Sequence, residues 1–219
     1  MTDTGPRPPD TSEMIAVHKV FRQALHGAGQ LVGGVAEGDT DRARLIAGYY
    51  DEMLTLLTLH HDGEDVLVWP KLLERAPAQA ELVRTAESQH QGIHEPLERA
   101  RVALKAWEVA PDAQQGAGLV GALGELETGL VAHLDNEEQT VLPLIGEHLT
   151  IEEWGELPGH AMRNYPGERI WLVLGLVREN MTQAQRDIML AHMPPPAVEM
   201  WTTKGEAAFD AYMGEVRGG

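Results

Sequence analysis

The stretch LHHDGEDVLVWP, residues 59–70, places two histidines and three acids where an apolar helical pattern points inward. The flank just before it, DEMLTLLT (51–58), reads as the buried side of a helix. A second stretch, HLDNEEQTVLP (133–143), repeats the arrangement: His, then Glu four residues on, then a second acid, with Pro ten residues after the His. Two segments so related are pseudo-equivalent helices, and that equivalence organises the rest of the chain.

Four segments carry apolar residues at alternating steps of three and four, the period of an amphipathic helix. The first starts near Thr11 and is read as one helix with Met14, His18, Phe21, Leu25, Ala28 and Val32 inward. The second carries Ile46, Tyr50, Met53, Leu57, His60, Glu64 and Leu67, after candidate caps at Asp39, Thr40 and Asp41. The third carries Val83, Ala86, His90, Ile93, Leu97, Ala100, Leu104 and Trp107, and the fourth Leu119, Leu123, Leu126, Leu130, His133, Glu137, Val141 and Leu144. Four such helices joined by short polar links predict an all-α, up-down four-helix bundle. The expected organisation is a disordered Pro-rich segment at 1–10, the bundle at 11–149, and a helical extension at 150–219. Capping boxes at Thr150/Glu153 and Thr182/Gln185, and a break at Pro194–Pro196, predict three or four shorter helices there.

Composition narrows the chemistry. The 219 residues hold 34 acids and 17 Lys or Arg, a net charge of -17, which argues against nucleic acid and anionic membrane as partners. With no cysteine, thiolate metal sites, disulfides and cysteine nucleophiles are excluded. The longest apolar run, IWLVLGLV (170–177), is too short to span a bilayer, and the first residues lack the pattern of a signal peptide. A cytoplasmic location is the default expectation, and no protein partner can be named.

His18, His60, His90 and His133 occupy positions that the stripes reserve for apolar residues, as do Glu64 and Glu137. Residues four apart are neighbours on a helix, so His60–Glu64, His90–His94 and His133–Glu137 are chelating pairs. A carboxylate buried without a partner costs on the order of several kcal/mol, and these stripes hold no Lys or Arg. A cation must balance them. Imidazole with carboxylate suits iron, manganese or zinc. His18 and His90 lie 42 and 43 residues before His60 and His133, so each half of the bundle offers a His and then a His–Glu pair. That symmetry suits a two-metal site with two bridging carboxylates.

The order His, HxxxE, HxxxH, HxxxE over about residues 14–148 resembles the hemerythrin family, and within it the bacterial HHE cation-binding domains. The tail resembles an extension on actinobacterial members. The resemblance implies two non-heme iron ions with an oxo or hydroxo group between them, zinc and manganese being alternatives. His90, His94 and His133 would hold one iron, His18 and His60 the other, and Glu64 and Glu137 would bridge. Dioxygen, peroxide or another small molecule would bind at the iron with fewer protein ligands.

Three features depart from the oxygen carriers of that family. Glu137 stands four residues after the last His, where the carriers have Asp at five. Pro96 is expected to kink the third helix near Gly92. His61 stands where the carriers have an apolar pocket residue; it is the candidate catalytic proton donor, or alternatively a direct ligand with Asp65 in support. His26, His148, His160 and His192 are read as edge, surface or tail residues. The expected function is binding or reduction of dioxygen or peroxide. A diiron oxygenase, a non-catalytic iron-binding or regulatory module, and a structural zinc or manganese site are the alternatives.

Overall fold

The four stripes close on one another in a ring. In the computed structural model, which describes residues 8–218, the chain is all-α with no strand among the described residues. Residues 1–7 of the expected disordered segment lie outside the described residues; 8–10 carry no helix, and Pro9 is buried. No helix is long and apolar enough to cross a membrane among the described residues.

The first rod is α1 (Ser12–His26) and α2 (Ala28–Gly33), interrupted at Gly27 where one helix was expected. Gly27 and Gly29 weaken helical propensity at that point. The following turn needs Gly38, whose φ is +81°, and the Gly38 N–H donates to the Pro111 carbonyl at 3.1 Å, tying two loops together. The long α3 (Thr40–Leu67) opens on Asp39, whose side chain accepts from the Arg42 N–H. After Val68 comes α4 (Trp69–Arg75), then a short 3₁₀ turn (Pro77–Gln79) and α5 (Ala80–Val109). Pro96 lies inside α5, which runs through it as one helix; the kink expected near Gly92 does not divide the element, and Gly92 is exposed, so water can meet its undonated carbonyl.

Asp112 caps α6 (Ala113–Asn136), accepting from the Gln115 N–H at 2.7 Å. A π turn follows at Glu137–Val141, closed by the Leu142 N–H donating to the Glu137 carbonyl, and leads into α7 (Leu142–His148). The repeat noted in sequence is thus structural. Pro70 and Pro143 both sit in the first turn of a new short helix, just beyond their His–Glu pairs.

Neighbours in the ring are α1 with α3 and α6, and α5 with α3 and α6. Two apolar clusters sit at opposite ends. One contains Phe21, Leu25, Met53, Leu57, Ile93, Leu97, Leu126 and Leu130. The other contains Met14, Val68, Leu72, Val83, Ala86, Val141 and Ile145. Reading along each helix, α1 and α5 pass from the second cluster to the first, and α3 and α6 pass back, which is the up-down order. Between the clusters every helix presents histidine.

The rest of the chain forms α8 (Ile151–Trp154), α9 (Glu156–Asn164), α10 (Ile170–Glu179), α11 (Gln183–His192) and α12 (Pro195–Met200), then a π turn (Trp201–Gly205) and α13 (Glu206–Gly218). These are more segments than sequence predicted, because short apolar runs broken by glycine and proline hide their boundaries. Both expected capping boxes form. The proline triplet starts α12 as well as breaking the chain before it. Three of these helices cover α3: α9 lies across it at Gly63, and α10 and α13 pack on its earlier turns. In consequence α3 is buried nearly all round, whereas α5 buries one narrow stripe.

Candidate metal centre

Helix period and bundle packing bring seven ionisable side chains into one layer. His18, Glu64, His133 and Glu137 are fully buried; His60 and His61 are 7% exposed and His90 6%. They come from α1 (His18), α3 (His60, His61, Glu64), α5 (His90), α6 (His133) and the start of the π turn (Glu137). A π turn at a ligand-bearing position is a common local device at functional sites, because the extra residue re-aims the side chain.

The adjacent His60 and His61 diverge by about 100° around α3. His60 turns toward α1, with its ring 5.3 Å from that of His18. His61 turns toward α5, stacked at 4.0 Å on the ring of His90. Donor atoms therefore gather in two groups, each within 4.8 Å: His61, His90 and His133, and His18, His60 and Glu137. Glu64, His133 and Glu137 make a third such group that joins them. The carboxylates straddle the two sides. Glu64 Oε1 is 3.6 Å from His60 Nδ1, and its Oε2 is 3.4 Å from His90 Nε2. Glu137 Oε2 is 3.3 Å from His18 Nε2 and 3.6 Å from His133 Nε2.

Outer partners aim the rings. The His90 Nδ1 and Asp65 Oδ1 are 2.8 Å apart, and the same oxygen accepts from the Trp69 indole N–H at 2.8 Å. On the other half His18 Nδ1 lies 2.8 Å from Glu138 Oε1, which also accepts from Arg22 at 3.1 Å. The acid after each of these two glutamates thus holds an imidazole of a neighbouring helix, so the repeat extends to the supporting residues. Sequence reads Asp65 and Glu138, like Asp62, as solvated flanking acids by default, with hydrogen bonding to an imidazole as the alternative. It gave no signal for Trp69, and Arg22, one turn beyond His18, was legible only as an i,i+4 neighbour. Gln89 Oε1, 3.4 Å from His133 Nδ1 and holding Asn136 Nδ2 at 3.1 Å, was not singled out.

Electrostatics divide the layer. Burial, reinforced by neighbouring imidazoles, holds His60 and His61 well below the usual histidine range. Burial takes His133 down to about 4. Burial also opposes the charge on His18 and His90. There, however, close carboxylates outweigh it, Glu137 and Glu138 for His18 and Asp65 and Glu64 for His90, and both rise to about 9. Burial and then the charge of Glu137 push Glu64 up to about 8, while His18 holds Glu137 below the usual carboxylate range against its burial.

The donor set fits a cation. Nine buried side-chain N and O atoms lack a hydrogen-bond partner among the described residues, and seven of them are in this layer: Nε2 of His18, His60 and His61, and both oxygens of Glu64 and Glu137. Buried polar atoms are ordinarily paired, so a concentration of converging imidazole and carboxylate orphans, each able to ligate once deprotonated, is what a metal would satisfy. His90 and His133 present their Nε2 atoms 3.1 Å apart, close to the edge of a coordination polyhedron with bonds of about 2.1 Å.

The hemerythrin HHE cation binding domain family matches residues 10–145, more than half of the 219-residue chain. The chain belongs to this family. No curated protein and no solved structure matches it. Cation binding by His and Glu clusters in a helical bundle follows from that membership and the geometry together.

Within this HHE chain one expected ligand is not in the layer. His94 is exposed on α5 and belongs to none of the three donor groups. The inward line of α5 runs His90, Ile93, Leu97, which leaves residue 94 on the solvent side. His61 stands beside His90 and His133 in its stead. His26 is solvent-facing and 3.6 Å from Glu127, and His160 lies over Gly63, outside the layer.

Proposed function

We propose that this protein is a non-heme diiron protein that binds or reduces dioxygen or peroxide. One ion would be held by His61, His90 and His133, the other by His18 and His60, with Glu64 and Glu137 bridging. The observation that carries this reading is that each glutamate lies within 3.3–3.6 Å of a histidine from both groups. A carboxylate shared in this way is the arrangement that keeps two ions a few ångströms apart. His61 is proposed as a ligand rather than as a proton donor, because its Nε2 is buried, without a partner, and grouped with those of His90 and His133.

When bound, iron supplies the electrons that dioxygen or peroxide takes up. The chain's residues do the rest. Asp65 and Glu138 fix which imidazole nitrogen faces inward. The apolar clusters on either side exclude bulk water. Residual exposure is confined to His60, His61 and His90, which supports access for a small molecule from the side where α3 meets α5.

The test is anaerobic loading with iron(II), metal analysis, and a near-ultraviolet spectrum before and after peroxide. Two irons per chain and new absorption on oxidation are expected. A protein that takes a single ion, or that accepts zinc and stays colourless with iron, would sink the proposal.

A further inference from the structure

A cavity of about 230 Å³ lies in the seam between the bundle and the C-terminal helices, away from the histidine layer. Val20 of α1 and Tyr49 of α3 form one wall. Leu176 of α10 with Met213 and Val216 of α13 forms the other. All five are buried, Val20 and Val216 to 1% exposure.

Tyr49 is 6% exposed and lines the cavity, yet its hydroxyl has no hydrogen-bond partner among the described residues. The other three tyrosines are committed: Tyr50 donates to the Ala24 carbonyl, Tyr212 to the Leu45 carbonyl, and Tyr165 to Glu52. The Tyr49 hydroxyl donates to no group among the described residues and is open to water, so an acceptor bound in the cavity would take a water's place on it. Burial pushes its ionisation up to about 12, so it remains a donor at any physiological pH. Polar clasps close the rim. Arg217 makes twin bonds to Glu179 at 2.8 and 2.6 Å, and Gln23 pairs with Asn180 at 3.0 Å. These clasps join α1, α10 and α13 around the opening.

We propose that this seam binds a small aromatic molecule with one hydrogen-bond acceptor, its ring among the aliphatic side chains and its acceptor on the Tyr49 hydroxyl. An apolar cavity of about 150 Å³ holds benzene. The larger volume here leaves room for a substituent of two or three heavy atoms. The proposal gives residues 150–219 a role, since α10 and α13 supply half of the wall.

The test titrates acetophenone and, as the acceptor-free control, ethylbenzene into the full iron-loaded chain by calorimetry. Both should bind saturably, acetophenone about fivefold to tenfold more tightly, the usual worth of one neutral hydrogen bond. Tyr49→Phe should erase that advantage and leave ethylbenzene unchanged. Val216→Phe, which fills the cavity, should abolish both. Absence of saturable binding, or acetophenone affinity unchanged in Tyr49→Phe, would overturn the proposal, as would undiminished binding in a folded Val216→Phe protein. If Val216→Phe does not fold, Tyr49→Phe decides.

Discussion

The imidazole of His61 stacks on that of His90, with ring centroids 4.0 Å apart and planes 19° from parallel. The two residues come from different helices, and the second of them was expected to pair with His94 instead. Substitution separates these assignments. His61→Ala should lower the affinity for one ion by at least about tenfold and bring the stoichiometry toward one. His94→Ala should leave both ions in place. Metal analysis of the two proteins after identical loading reads the difference directly.

The supporting carboxylates should act on separate ions. Asp65→Asn removes the partner of His90, and Glu138→Gln that of His18. Each should weaken one binding step by about 10–100-fold with little change in the other. Calorimetric titration resolves the two steps; equal effects of both substitutions on both steps would contradict the division.

Loading should release protons. His18 and His90 rise to about 9 and Glu64 to about 8, so all three are largely protonated at pH 7 and must give up a proton to bind a metal. On the order of three protons per chain should appear on loading at that pH. Apparent affinity should increase from pH 6 to pH 8 and level off near 9. Titration in buffers of different ionisation enthalpy counts the protons.

Without metal the sign reverses for stability. Groups whose folded-state value is raised stabilise the fold below their unfolded value and cease to do so as pH rises through the folded one. For Glu64 that window runs from about 4.5 to 8, and for His18 and His90 from about 6.5 to 9. Metal-free protein should therefore lose stability between pH 6.5 and 9, and Glu64→Gln should make the decline shallower. Denaturant midpoints across that range provide the measurement. A metal-free midpoint that climbs with pH would be the contrary result.

The outer layer can be tested without touching the histidines. A Cβ on Gly175 would run into the Phe209 ring, where α10 crosses α13. Gly175→Ala should destabilise by about 1–3 kcal/mol through overpacking, lowering the thermal midpoint by about 2–4 °C for each kcal/mol in a chain of this size. Iron stoichiometry should not change.

Sequence by itself determined the four amphipathic helices, their up-down order and six buried polar residues on the four stripes: His18 on the first, His60 and Glu64 on the second, His90 on the third, and His133 and Glu137 on the fourth. Helical period is a local property, and a histidine in an apolar stripe is visible without knowing what the stripe packs against. Tertiary structure placed His61 inside the histidine layer and His94 outside it. Residue 94 lies only about 40° around its helix from His90, while residue 61 lies about 100° from His60, so periodicity alone favours His94. The helices, however, are enclosed differently. α3 has bundle neighbours on two sides and α9, α10 and α13 behind it, so a residue off its stripe is still inside. α5 has solvent behind it, so a residue at the edge of its stripe faces water. How far round a helix burial extends depends on everything packed against it, and no window of sequence contains that information.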